Sequence, residues 1–216
     1  MIVFNKPHIS GKELEYIKDT FSIGKLSGNG KYTNLCQKYF EDKFGFKKTL
    51  LTTSCTDALE MCALLLDIKP GDEIIVPSYT FVTSALAFVR QGAKIVFADS
   101  RSDIPNIDVT KLEGLITSKT KAILVVHIMG YPAQMDEIMA ISKEFNLVVI
   151  EDCAQCPFGV YKGKSLGTIG DMGVFSTNYH KHIHTGEGGV ITTNSEYYKE
   201  RCQLIRNHGE ACVEDK

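Results

Sequence analysis

The sequence has no apolar run long enough to cross a membrane. Its longest purely aliphatic stretch is Ala122-Ile123-Leu124-Val125-Val126, far short of the roughly 20 residues a spanning helix needs, so no membrane partner is expected. It has no excess of one charge: 24 Lys and Arg stand against 26 Asp and Glu, a net charge of −2. Nucleic-acid surfaces need a clear basic surplus, which excludes that partner class. The basic flank and apolar stretch of a secretory signal are missing, because Met1-Ile2-Val3-Phe4 turns polar at Asn5-Lys6-Pro7. Seven cysteines, at 36, 55, 62, 153, 156, 202 and 212, are odd in number and irregular in spacing. That argues against a disulfide framework and for a reducing cytoplasm. The one Cys-x-x-Cys, Cys153 and Cys156, has no second pair to complete a zinc site, and no resident metal is expected. No Gly-x-Gly-x-x-Gly follows a strand, since Gly28-Asn29-Gly30 lacks the third glycine, and there is no Walker lysine motif.

What remains is ordinary globular composition, 44% apolar and 23% charged. Apolar spacing predicts a helix over 11–22, where Leu14, Ile17 and Phe21 fall at helical intervals on a mostly polar segment, then a glycine-rich loop over 24–30. A second amphipathic helix follows, with Leu35, Tyr39 and Phe40 on its apolar side. From residue 49 the chain alternates. Strands are expected at 49–52, 73–76, 94–97, 122–126, 147–150, 172–176 and 189–193, and helices at 56–66, 79–90, 135–145 and 195–206. Ala58, Met61, Cys62 and Leu65 fall at i, i+3, i+4 and i+7, one helix face. The alternation predicts an α/β domain with a mainly parallel sheet between helices.

In such sheets ligands bind where strands end and helices begin, and three segments fall there. Thr52-Thr53-Ser54-Cys55-Thr56 precedes a helix N-terminus, where free amides and the helix dipole attract anions. Taken alone, it reads more simply as a Ser or Thr helix cap. Glu151-Asp152 follows the strand at 147–150 and sets a carboxylate at a strand end; a loop acid bonded to nearby backbone is the plainer reading. Cys153 and Cys156 read as incidental thiols rather than a redox pair. The third segment runs from Phe175 to Gly189. Its Lys181, set among aromatics, hydroxyls and glycines, is a candidate Schiff-base amine. In an extended strand His180, His182 and His184 would share one face and could bind a metal; a polar loop around Lys181 is preferred, and their role stays open.

These segments in this order resemble the DegT/DnrJ/EryC1/StrS family of nucleotide-sugar aminotransferases. The resemblance rests on Phe4-Asn5-Lys6-Pro7, Ser27-Gly28-Asn29-Gly30, Pro77-Ser78-Tyr79-Thr80-Phe81-Val82, Glu151-Asp152-Cys153-Ala154-Gln155, and Lys181 with Gly186-Glu187-Gly188-Gly189. It implies the aspartate-aminotransferase-type fold and the cofactor pyridoxal 5′-phosphate (PLP). By resemblance, Lys181 matches the lysine that joins the cofactor and moves the proton. Asp152 matches the partner of the pyridinium nitrogen, Gln155 the residue beside the phenolic oxygen, and Phe81 the aromatic on the ring. Cys55, Thr56 and Ser176 match the phosphate-holding residues.

The resemblance further implies glutamate as amino donor and a keto-6-deoxyhexose nucleotide, dTDP- or UDP-linked, as acceptor, for polysaccharide or O-antigen synthesis. It implies a homodimer in the full-length form. Cys55 replaces a frequent glycine, a change shared with the branch that makes dTDP-4-amino-4,6-dideoxygalactose. Thr177-Asn178 replaces the usual Phe-His, which leaves sugar identity and the site of amination open. Lys181 separates the chain from the sugar 3-dehydratases of the family, which carry histidine there. Residues 1–216 are expected to be the PLP-binding large domain, with segment 1–45 carrying the glycine-rich active-site loop and the smaller C-terminal domain missing. The alternative is a catalytically inactive PLP-fold domain kept as a regulatory or dimerising module.

Overall fold

The computed structural model describes residues 2–3 and 5–209. Phe4, Cys212 and the segment 214–216 lie outside the described residues. Seven strands form one sheet: β1 (Lys48–Thr52), β2 (Glu73–Pro77), β3 (Lys94–Ala98), β4 (Thr120–Val126), β5 (Val148–Asp152), β8 (Met172–Ser176) and β9 (Gly189–Thr193), while β6 (Val160–Tyr161) and β7 (Lys164–Ser165) make a separate hairpin. The order across the sheet is β1-β9-β8-β5-β4-β2-β3. Only β9 runs against the others, pairing antiparallel with both β1 and β8. The rest pair in parallel, as expected.

Helices α1 (Glu13–Ile23) and α2 (Lys31–Phe44) precede the sheet, and α3 (Cys55–Leu65), α4 (Thr83–Val89), α5 (Met135–Phe145) and α6 (Glu196–Arg206) cover it. The alternation of strand side chains divides the core in two. Ile74, Val76, Leu124 and Ile150 pack with Leu59, Cys62 and Phe88 of α3 and α4. Their neighbours Ile75, Ile123, Val125 and Val149 pack with Met135 and Ile138 of α5. β2 is buried along its whole length, which is why it reads as a near-continuous apolar run. The expected α3 face holds: Ala58, Met61, Cys62 and Leu65 are all buried.

The structure departs from the expectations or adds to them at four places. The helix expected over 79–90 begins at Thr83; Tyr79 to Val82 lead into it, with the Phe81 and Val82 carbonyls accepting its first amides and Thr80 Oγ1 bonding to Ser84 Oγ. Glu151 and Asp152 do not follow their strand but end it, because pairing with β4 continues through Val126↔Asp152. The hairpin of β6 and β7 was not anticipated; its turn has positive φ at Lys162 and Gly163. The first two helices form with the expected spacing, but most of their apolar side lies on the surface. Leu14, Ile17, Phe21, Leu35 and Tyr39 are exposed. The buried residue of α2 is Gln37, whose Oε1 accepts from Leu51 N and Arg206 Nη1. Phe40 and Phe44 pack with Phe46 and Phe175 in a third cluster.

Candidate active site

Because β9 alone is reversed, the C-terminal ends of β1, β2, β4, β5 and β8 meet at one edge of the sheet, together with the start of β9. A cavity of about 320 Å³ opens there. All seven residues singled out in the sequence line it: Cys55 and Thr56 in the first turn of α3, Phe81 after β2, Asp152 at the end of β5, Gln155 just beyond, Ser176 at the end of β8, and Lys181 in the loop before β9.

The start of α3 forms one wall. Ser54 Oγ accepts the Asp57 amide at 3.0 Å, so it is the helix cap that the simpler reading foresaw. The first-turn amides of Cys55 and Thr56 have no intrahelical acceptor and border the cavity, so the cap and the anion-attracting end coexist. This end of the helix sits directly on the first residue of β9. A Cβ added to Gly189 would overlap the Ser54 carbonyl and the Cys55 nitrogen, and only glycine permits the approach. The Cys55 thiol is pushed well up by burial and by the Asp152 carboxylate, with Lys181 opposing, which keeps it protonated and a poor nucleophile.

Asp152 is the buried acid of the site, 4% exposed. Burial raises its carboxyl above the ordinary range. The Ala154 amide, the Ser84 hydroxyl, His127 and Lys181 oppose the rise. Oδ1 accepts from Ala154 N and Oδ2 from Ser84 Oγ, each at 3.0 Å. Gln155 is fixed in orientation: its Oε1 accepts the Met129 amide at 2.7 Å, so Nε2 is the end left free to donate. Met129 itself takes the left-handed region, φ 52°, in the turn after β4.

The loop between β8 and β9 carries Lys181. The Lys181 amide donates to the Asn178 carbonyl at 2.9 Å, and Thr185 N to Thr177 O at 2.9 Å. Asn178 Nδ2 donates to Glu187 Oε2 at 2.7 Å. Among the described residues Lys181 Nζ has no carboxylate within ion-pair distance. The segment is a series of turns and bends, so His180, His182 and His184 do not share the face that an extended strand would give them. They form no three-donor cluster among the described residues, and His184 Nε2 lies 2.9 Å from the His8 carbonyl. Cys153 and Cys156 are buried free thiols in the third cluster.

Several contributors were given no role from sequence: Ser84 and His127, which no quoted segment held, and Thr80, Asn178 and Glu187, which stood within quoted segments; Glu151 was noted only as a carboxylate at a strand end. Ser84 had a local sign, four residues after Thr80 in an expected helix. Glu187 stood within the Gly-Glu-Gly-Gly word. The pair His127 and Glu151 had none. With Cys153 it is the one described group whose donor atoms cluster closely enough for an ion. Yet Glu151 already accepts from Gly167, Ile169 and Gly170 amides and lies 3.1 Å from His127 Nε2. His127 Nδ1 accepts from Ala133 N, which puts the ring proton on Nε2, facing the carboxylate. The lone pairs a metal would need are taken, and the group is a structural post.

A mainly parallel seven-stranded sheet, with an anion-attracting helix start, a buried aspartate and a loop lysine around one cavity, has the fold of the aspartate-aminotransferase-type PLP-dependent transferases. The description of the DegT/DnrJ/EryC1/StrS aminotransferase family matches residues 7–216, and the chain belongs to that family. It is 37% identical over 204 residues to a GDP-perosamine synthase of Escherichia coli O157:H7, covering 94% of this chain and 56% of that protein. To a dTDP-3-amino-3,6-dideoxy-alpha-D-galactopyranose transaminase of Aneurinibacillus thermoaerophilus it is 43% identical over 175 residues, covering 79% of this chain and 48% of the relative. Among solved structures, an aminotransferase from Psychrobacter cryohalolentis superposes with a TM-score of 0.92 at 34% identity, over 97% of this chain and 54% of that one. The chain thus spans about half the length of the relatives it matches. Among the described residues no helix is long and apolar enough to cross a membrane.

Proposed function

We propose that residues 1–216 are the PLP-binding large domain of an aminotransferase that moves the amino group of glutamate onto a keto-6-deoxyhexose nucleotide, dTDP- or UDP-linked, in cytoplasmic synthesis of polysaccharide or O-antigen sugars. The observation that carries this reading is the meeting of Lys181, Asp152 and the start of α3 around one cavity. An aromatic aldehyde with a ring nitrogen and a phosphate needs an amine, an acid and an anion cradle, and the chain offers each.

When bound, the cofactor supplies an electron sink for the carbanion left after deprotonation. The chain's own groups do the rest. The first-turn amides of Cys55 and Thr56 and the Ser176 hydroxyl hold the phosphate. Asp152 keeps a proton on the ring nitrogen, since an adjacent carboxylate favours the charged form. Gln155 Nε2 would be the donor to the phenolic oxygen, its other end being held by Met129. Phe81, 66% exposed without a ligand, has apolar surface to lay on the ring and shed water from it. Lys181 Nζ would be the amine that holds the aldehyde end of the cofactor, and as a free amine it would be the base placed to move a proton at the reacting carbon.

The exposed apolar sides of α1 and α2 support a homodimer: Leu14, Ile17, Phe21, Leu35 and Tyr39 lie uncovered on the two helices. The unpaired described cysteines support a reducing compartment.

The test is to add PLP to the purified chain and follow visible absorbance. A band that glutamate bleaches and a keto-sugar nucleotide restores is expected, with the aminated product identified by mass and NMR across dTDP-, UDP- and GDP-linked acceptors. Borohydride should fix the cofactor to Lys181, and Lys181→Ala should abolish that adduct. No band and no adduct would sink the transaminase reading and leave the regulatory or dimerising module.

A further inference from the structure

We infer that Ser84, with Thr80 behind it, is a positioning residue for Asp152: a two-hydroxyl relay that pins the carboxylate and keeps it in its charged form. The inference rests on the reading of Asp152 as the partner of the cofactor's ring nitrogen.

The geometry is specific. Thr80 Oγ1 donates to Ser84 Oγ at 2.9 Å, and Ser84 Oγ donates to Asp152 Oδ2 at 3.0 Å. A helical serine commonly turns its hydroxyl back to a carbonyl one turn earlier. Ser84 instead reaches a residue 68 positions away in sequence, from α4 to the end of β5. It is 1% exposed, so water does not compete for the bond.

The direction of the relay follows from chemistry. An ionised carboxylate can only accept, so Ser84 must give it its single proton, and its oxygen is then free to receive the Thr80 proton. If Asp152 were protonated on Oδ2, the first bond would reverse and the Ser84 proton would have to find another acceptor, whereas the charged form uses both hydroxyl protons where they stand. The arrangement therefore favours the anion. The Ala154 amide holds the other oxygen, so both ends of the carboxylate are fixed.

Other charged and titratable groups face Asp152 from each packed element: Lys181 from the loop after β8, His127 after β4, Cys55 and Cys62 on α3, and Cys153 next along the chain. Of these only Lys181 and His127 favour the anion, while the fully buried surroundings work against it. Among the described residues Ser84 is the one side chain hydrogen-bonded to the carboxylate. The relay also joins two parts of the cavity, because Thr80 precedes Phe81. The aromatic that would cover the cofactor ring and the acid that would hold its nitrogen are tied together.

The experiment titrates Asp152 directly, in the unloaded chain, by carbon-13 NMR of aspartate-labelled protein, with the resonance assigned by its loss in Asp152→Asn. In Ser84→Ala the titration midpoint should rise by about one pH unit, the size of one hydrogen bond to a charged group. Thr80→Val should raise it less, and Ser84→Thr should return it towards the parent value. A Ser84→Ala midpoint equal to that of the parent overturns the relay, as does a Thr80→Val shift without any in Ser84→Ala. The same samples treated with PLP and borohydride separate the two claims. A shifted midpoint with no Lys181 adduct in the parent chain upholds the relay and sinks the cofactor reading; an adduct with an unshifted midpoint does the reverse.

Discussion

Glu151 and Asp152 are neighbours in β5, yet their carboxylates serve opposite faces of the sheet. Asp152 borders the cavity, and Glu151, with no exposed side-chain surface, faces the loop over 167–170 and His127. The alternation of a strand produces this division. Two acids side by side thus avoid sharing one pocket, where each would disfavour the other's charge. Glu151 anchors the turn after β4 and the loop before β8 to the strand that carries Asp152.

Replacing Glu151 by Gln should therefore damage the fold rather than the chemistry. The amide end would face backbone donors, leaving them unpaired in a buried place. A loss of about 3 kcal/mol is expected, read as a lower midpoint in urea unfolding of the unloaded chain.

Asp152→Asn should have opposite effects on stability and on function. The folded carboxyl is raised by burial, so the folded chain binds this proton more readily than the unfolded one. Its charge is then a penalty that is complete at pH values above the folded midpoint and vanishes below the unfolded one. The Asn variant should melt higher than the parent chain near neutral pH, with the gap closing as the pH falls through the raised midpoint. Turnover of the loaded enzyme should fall strongly in the same variant. Thermal melts across pH, alongside a transamination assay, check both.

Gly189→Ala should strike the cradle and the fold together. The new methyl must displace the peptide between Ser54 and Cys55, which is backbone and cannot swing aside. Overpacking of this kind costs about 3 kcal/mol. Affinity for PLP should drop at least about tenfold, because the first-turn amides move with that peptide. Equilibrium unfolding and fluorescence titration with PLP measure the two effects.

Phe21→Glu should leave the fold intact and the assembly broken. Phe21 is exposed on a helix with no buried residue, so a charge there disturbs no core. If the apolar side of α1 meets a second copy, light scattering should show the parent chain as a dimer and the variant as a monomer, with unchanged circular dichroism.

Much of the fold was legible because it is periodic. The α3 face and the apolar strands β2 and β4 carry their own spacing, and the mainly parallel pairing follows from strand and helix alternation, though the order of the strands does not. The seven cavity residues were reached through short words around strand ends and through family resemblance. What stayed hidden is long-range or conditional. The bond from Ser84 to Asp152 and the contact of His127 with Glu151 join residues on different elements, and no local pattern records them. The spacing of Leu14, Ile17 and Phe21 marks an apolar side but not what covers it. Gln37 is a polar residue buried because Arg206 and a strand amide satisfy it, which composition alone cannot foretell.

Ser176 and Gly189 pair across β8 and β9 at the root of the lysine-bearing loop, and Gly189 rests against the first peptide of α3. One junction therefore sets both the reach of the Lys181 amine and the place of the proposed phosphate seat. A shift at that junction moves the two together, so the distance from a bound ligand's anionic tail to its reactive head is built into the scaffold instead of being recovered at each turnover.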